Sequence, residues 1–370
     1  MAKSTPHRQR DLAQSQLDLF HSNGTGKPAF EFDQPLFRVR ENGRFGFINA
    51  QGELIIEPQY LEAEDFYNGF SRVLLNDRMV PIDSLGRLLI KRLFNYVGHF
   101  EEGLARVQLV RRWGYLDTHG NLAIEPQFEE NQDFSEGLAA VRSNGRWGYI
   151  DPSGAFVIEP KFAAAGAFCK GLAPVKTHDG WSYIDRTGEE IMALPYDECL
   201  DFQGDVAVIV AAQQWGLVHR FSEVLLEPQF DILLNEPFGE FADEMAVFIK
   251  NSKYGYINID GNIIIPPTYH FAGDFSEGLA PILNGKAFGF IDKKGGQVID
   301  FQYKDAGIFS QGLAPVQVNA HWGFVNKHNK MIITPKYDMV FPFRDGLAWV
   351  ETAGKWAYID QTGAVIWQEM

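Results

Sequence analysis

The chain has 370 residues, and its 33 Lys and Arg against 48 Asp and Glu leave a formal net charge of -15, which opposes loose adhesion of the whole surface to DNA or anionic lipid. Cys169 and Cys199 are the only cysteines and no CxxC occurs, so neither a disulfide framework nor a zinc site is indicated, and a reducing, cytoplasmic compartment fits. The polar start, Met1 to Arg10, is followed by no apolar stretch of the secretory type, and no run approaches a membrane span.

Residues 1 to 29 are expected to be a mobile tail, with Ser, Gln and a Gly24-Thr25-Gly26-Lys27-Pro28 punctuation. Within them stands Gln16-Leu17-Asp18-Leu19-Phe20. This pentapeptide resembles the motif by which bacterial polymerases, mismatch-repair proteins and initiator regulators dock on the DNA sliding clamp. The resemblance implies an extended peptide entering a preformed groove, with Leu19 and Phe20 as pocket anchors, Gln16 as the polar latch, and Leu17 with Asp18 as the spacing element. The competing reading is an amphipathic helix from Asp11 to Phe20 whose Leu12, Leu19 and Phe20 cap the structure behind it.

From about residue 30 to 370 one block returns. Aligning its Trp-Gly position yields Gly46, Val80, Gly114, Gly148, Ser182, Gly216, Gly255, Gly289, Gly323 and Ala357, with eight of nine steps at 34 residues and one at 39. Such self-similarity marks a repeat array stabilised by contacts between neighbours. In the copy from Leu138 to Gly171, Leu138 to Val141 reads as a strand, Ser143-Asn144-Gly145 as a hairpin turn, and Arg146 to Ile150 as the partner strand. Asp151-Pro152-Ser153-Gly154 makes the next turn, Ala155 to Ile158 the third strand, and Pro160 is expected to end it. Whether the hairpin loop counts two residues or three is left open by the residues, and so is the face each side chain occupies. Connectors then carry two aromatic anchors six apart, such as Phe128 and Phe134 or Phe162 and Phe168, which read as packing between units.

The expected fold is therefore all-β, a tandem array of about ten three-stranded antiparallel meanders. An open superhelix is preferred to a closed, propeller-like ring, because ten blades would exceed the usual range. Tetratricopeptide helices share the period but not the pattern, since 36 glycines, Asn-Gly turns and strand-type alternation would break them. Arg112-Trp113-Gly114-Tyr115-Leu116-Asp117, Arg146-Trp147-Gly148-Tyr149-Ile150-Asp151 and Lys355-Trp356-Ala357-Tyr358-Ile359-Asp360 make the copies resemble the WG-repeat family of bacterial proteins. That resemblance implies a β-rich repeat scaffold and no assigned activity.

Arginine is uneven, with 14 of 17 at or before residue 146. Arg44, Arg78, Arg112 and Arg146 precede the Trp position in four consecutive copies, and Arg38, Arg72 and Arg106 hold the centre of the first strand in three. Stacked units would align each set into a lane able to hold phosphates of a nucleic-acid backbone or an acidic partner. The alternative is stacking on aromatic rings and pairing with Glu and Asp of adjacent copies. Glu57-Pro58, Glu125-Pro126, Glu159-Pro160 and Glu227-Pro228 recur in register, as do Glu102, Glu136 and Glu277 before glycine. A catalytic pair needs two unlike environments, so these carboxylates read as turn chemistry and the chain as a non-enzyme without cofactor, metal or small-molecule substrate. The functional expectation is an interaction scaffold tethered to the sliding clamp in DNA replication, repair or their regulation, against a general interaction or stress-response scaffold with a capping tail.

Overall fold

The computed structural model describes residues 34–232 and 239–369. Every regular element among them is a strand, and the strands form ten sheets, one for each copy, each a simple antiparallel meander that does not close into a barrel. Two compact units result, one comprising residues up to Asp179 together with 184–189, the other Gly180–Tyr183 and the residues from Glu190 onward.

The fourth copy shows how the sequence builds a sheet. Ala139–Ser143 pairs with Arg146–Ile150 so that Ser143 lies opposite Arg146, which leaves a loop of two residues, Asn144 and Gly145. Both have positive φ, 51° and 74°, the backbone of a type I′ turn whose twist matches that of the strands. The loop is thus settled as two residues. The next turn is organised by Asp151, whose Oδ1 accepts from the backbone N–H groups of Ser153 at 2.9 Å and Ala155 at 3.1 Å. Asn49, Asp83, Asp117, Asp185, Asn258, Asp292, Asn326 and Asp360 do the same in their copies. His219 replaces them in the sixth, its Nδ1 facing the Phe221 N–H at 3.3 Å.

Two expectations change. The third strand does not end at Pro160 but runs from Phe156 to Phe162. Tyr149 lies opposite Ile158 and Trp147 opposite Phe162, so Glu159, Pro160 and Lys161 bulge outward across a single residue, Gly148. A proline at a bulge on an outer strand withholds a donor where a foreign strand would otherwise add. Further, the meander has four strands, because the connector contributes a short leading one: Glu130–Asn131 pairs with Arg142 and Val141. Two copies are exceptions: the first has three strands, and in the second only Ser71–Leu75 and Arg78–Ile82 pair as strands, flanked by isolated bridges from Ala63 to Val73 and from Ile82 to Leu88.

Inner strands are buried on both faces: Tyr149 and Ile150 are adjacent in sequence, point to opposite sides, and are both inaccessible. The core therefore lies between successive sheets. One cluster joins Tyr149, Ile158 and Phe162 of the fourth copy to Phe168, Val175 and Ile184 of the next, and another joins Tyr115 and Ile124 to Phe134 and Val141. Burying one such aromatic side chain contributes about 1.5–3 kcal/mol, so neighbour contacts dominate stability.

Candidate interaction surfaces

The Trp-Gly glycines are fixed by space. Gly148 lacks the positive φ that glycine alone would favour, yet a Cβ there would meet the Ile158 carbonyl oxygen at 2.5 Å and the Pro160 nitrogen at 2.7 Å. The same crowding recurs at Gly46, Gly114, Gly216, Gly255, Gly289 and Gly323, always against the third strand. Val80 and Ala357 stand where this bulge is missing. Ser182 is buried and donates through Oγ to Glu190 Oε2 at 2.7 Å.

The residue after this glycine links sheet to sheet. Tyr115, Tyr149, Tyr183 and Tyr256 donate their hydroxyls to the carbonyls of Gln132, Gly166, Leu200 and Gly273, at 2.6–2.8 Å. Burial pushes the Tyr115, Tyr183 and Tyr256 phenols far above their ordinary value, so they remain donors at any biological pH. Each ring also meets the second aromatic anchor of the next connector, as Tyr149 meets Phe168 with centroids 4.8 Å apart and planes at 64°. Where phenylalanine replaces tyrosine the ring contact persists, as in Phe290–Phe309 and Phe324–Phe343 at 5.0 Å. The anchors are interlocking contacts between units, as their spacing suggested.

The carboxylates before glycine also prove to be links. Glu102 accepts from the backbone N–H groups of Glu136 and Gly137 at 2.7 and 2.8 Å, and Glu136 accepts in turn from Lys170 and Gly171 at 2.7 and 2.9 Å. In the second unit Asp243 accepts from Gly278, Glu277 from Gly312, and the Gln311 amide oxygen from Gly346. Successive N–H groups of a positive-φ turn form a small anion-binding nest, filled here by the preceding copy. The Lys293 ammonium and the Gly278 N–H hold the Asp243 carboxyl below its ordinary range against the opposing effect of burial.

The two arginine sets have different fates. Arg38, Arg72 and Arg106 turn inward and each donates to a connector carbonyl 25 residues on, those of Ala63, Val97 and Asn131. Each also has a carboxylate: Asp65 at 3.4 Å, Glu64 at 2.6 Å and Asp133 at 2.8 Å respectively. Each guanidinium further lies 5.4–5.9 Å from an aromatic ring, of Phe45, Tyr96 or Trp113. These three act as latches between copies. Arg44, Arg112 and Arg146 lie exposed at the hairpin tips, with Arg78 half-buried among them. Arg44, Arg78 and Arg112 donate to the carbonyls of Gln59, Phe94 and Gln127 at 2.9–3.3 Å. Gln16, Leu17, Asp18, Leu19 and Phe20 lie outside the described residues.

Ring stacking and acidic partners, the alternative read from the sequence, are what the inward arginines have; the connector carbonyls and the carboxylate-to-turn ladder were missed, although an acidic residue before glycine in register was visible. The exposed Glu57, Glu125, Glu159 and Glu227 sit on the third-strand bulges. Cys169 and Cys199 are free thiols, and burial pushes Cys199 up to about 12. Among the described residues no helix is long and apolar enough to cross a membrane.

No curated protein matches the sequence. A crystal structure described as that of the eukaryotic initiation factor is similar at a TM-score of 0.52 and 11% identity, covering 92% of this chain and 96% of that one, a likeness of fold alone. Kluyveromyces lactis Hsv2p is similar at a TM-score of 0.38 and 12% identity over 63% of this chain and 94% of its own, too distant to bear an argument. The model of the WG containing repeat matches nine segments: 45–78, 82–109, 113–147, 147–181, 181–210, 215–254, 254–286, 288–320 and 322–356. With Gly148 and its equivalents held against their bulges and these segments covering most of the chain, the protein belongs to the WG-repeat family.

Proposed function

We propose that the chain is a non-enzymatic protein-interaction scaffold tethered to the bacterial DNA sliding clamp by its N-terminal tail, acting in the cytoplasm in DNA replication, repair or their regulation. One observation carries the tether: Gln16-Leu17-Asp18-Leu19-Phe20 matches a clamp-docking peptide at all five positions and stands outside the repeats. The scaffold half is supported by the use made of the recurring polar groups. Tyrosine hydroxyls, inward arginines and turn carboxylates are spent on neighbouring copies, and the Glu-Pro carboxylates face solvent in one repeated environment.

The test is a pull-down with purified clamp, comparing the intact chain with a Leu19→Ala/Phe20→Ala variant. Retention of the intact chain and loss of the variant is the expected result. Equal retention, or none for either, overturns the tether and leaves the scaffold.

A further inference from the structure

The hairpin tips of the first four copies are basic in an acidic protein. Residues 40–44, 74–78, 108–112 and 142–146 hold seven arginines against two carboxylates, Glu41 and Asp77. In the second unit the equivalent segments hold no arginine: 210–214 and 317–321 have no Lys, Arg, Asp or Glu, and 249–253, 283–287 and 351–355 have four lysines against one carboxylate, Glu351. The contrast is local, since the whole chain carries a net charge of -15.

Geometry divides these arginines further. Arg142 is neutralised by Glu130 at 2.5 Å, whereas Arg40, Arg44, Arg111, Arg112 and Arg146 are exposed. Arg44 and Arg112 donate one nitrogen to a backbone carbonyl, which steadies the guanidinium without cancelling its charge. A fixed guanidinium with donors to spare suits a phosphate oxygen better than a mobile ammonium does. The tips occupy one register position in sheets that pack in sequence, so their charges recur along one side of the first unit.

An exposed ring joins them at the third tip. Asn95 accepts from the Val110 N–H at 3.0 Å, which places the following residue, Tyr96, beside the Val110-Arg111 turn. Tyr96 is 38% exposed, its ring centroid is 5.4 Å from that of Trp113, and the Arg72 guanidinium lies 5.8 Å from it. Val110 is 80% exposed and held at φ 46°, a strained conformation for a β-branched residue that places an apolar group at the tip.

We propose that the tips of the first four copies bind single-stranded nucleic acid, with Arg44, Arg112 and Arg146 each on a backbone phosphate and Tyr96 stacking against a base. This goes beyond the tether, because it needs neither the tail nor the clamp. It also narrows the arginine lane read from the sequence: the tip arginines are available to a ligand, and Arg38, Arg72 and Arg106 are committed to their own fold. Alternating cations and aromatic faces are the means by which proteins follow an unpaired strand with little regard to its sequence.

The experiment is fluorescence anisotropy of a dye-labelled 20-nucleotide oligothymidylate with the full-length chain and no clamp. Neutralising three phosphates would weaken binding roughly 20-fold as salt rises fourfold. Arg44→Glu/Arg112→Glu/Arg146→Glu should abolish binding, and the matching glutamine triple, milder to the fold, should weaken it at least tenfold. Tyr96→Ala should cost about tenfold. Lys250→Glu/Lys355→Glu, at tips of the later copies, should leave binding unchanged. No binding at 50 mM salt, or equal binding by the glutamine triple, overturns the proposal. Equal displacement by polyglutamate reassigns the surface to acidic peptides, and tighter binding of a duplex of the same length removes the single-strand assignment; both overturn it. Clamp pull-down with the same triple remains a separate readout, so the two ideas fail independently.

Discussion

The second and fourth copies follow one 34-residue template and become different sheets. In the fourth, Gly148 lies under the Glu159-Pro160 bulge and four strands assemble. In the second, Val80 stands at that position, Lys91-Arg92 replaces Glu-Pro, and two strands pair. The missing strand is not simply lost: Leu88 and Ile90 of that segment are still buried, and the Leu89 carbonyl crosses where a Cβ of Gly120 would have been. Glycine and bulge are thus one device. The bulge needs a residue without a side chain beneath it, and without the bulge a valine fills the space.

Reciprocal substitutions break or sharpen this comparison. Gly148→Val drives a branched side chain into the Ile158 carbonyl and the Pro160 nitrogen, and should cost about 3 kcal/mol or more. A urea midpoint equal to that of the unaltered chain would show that the bulge moves freely, and the device would be fiction. Val80→Gly should also destabilise, by roughly 2 kcal/mol, because Val80 is buried and no strand approaches to use the space. Should it instead stabilise, the second copy merely lacks its glycine.

Smaller effects probe the links that both kinds of copy share. Tyr149→Phe keeps the ring on Phe168 but strands the Gly166 carbonyl, at a cost of about 1 kcal/mol by thermal unfolding. The phenylalanine copies suggest that the array tolerates this. Asp243 is held below its ordinary range, so its contribution is complete above about pH 4, the value in the unfolded chain, and fades as pH falls through the lower folded value. Asp243→Asn should flatten that acid limb of the stability profile by less than about 1 kcal/mol, the side chains of the pair being about one-third exposed and so screened by solvent. Val110→Asn should relieve the strained turn and stabilise by about 0.5 kcal/mol, seen as a small rise in melting temperature.

Much of this was legible in the residues. The period, the strand content, the Asn-Gly hairpin and the paired aromatic anchors follow from local chemistry that repeats ten times, so each copy corroborates the others. The coupling of glycine to bulge was also written there: six of the seven Trp-Gly glycines have proline twelve residues on, and Val80, Ser182 and Ala357 have none. It went unread because a proline is ordinarily taken to end a strand, and only its outward bulge reveals why the strand continues. The candidate surface was half legible, since spacing grouped seven arginines but could not tell inward from outward.

Sequence alone determined that this chain is a β-repeat array, because period and turn residues act over a few neighbours in the chain. Tertiary structure alone decided which charges remain for a partner. Arg106 and Arg112 are six residues apart, yet one is bound to Asp133 and the Asn131 carbonyl while the other stands in solvent at a hairpin tip. That difference is made by a connector folding back from more than twenty residues away, a contact that depends on how sheets stack rather than on what lies next in the chain.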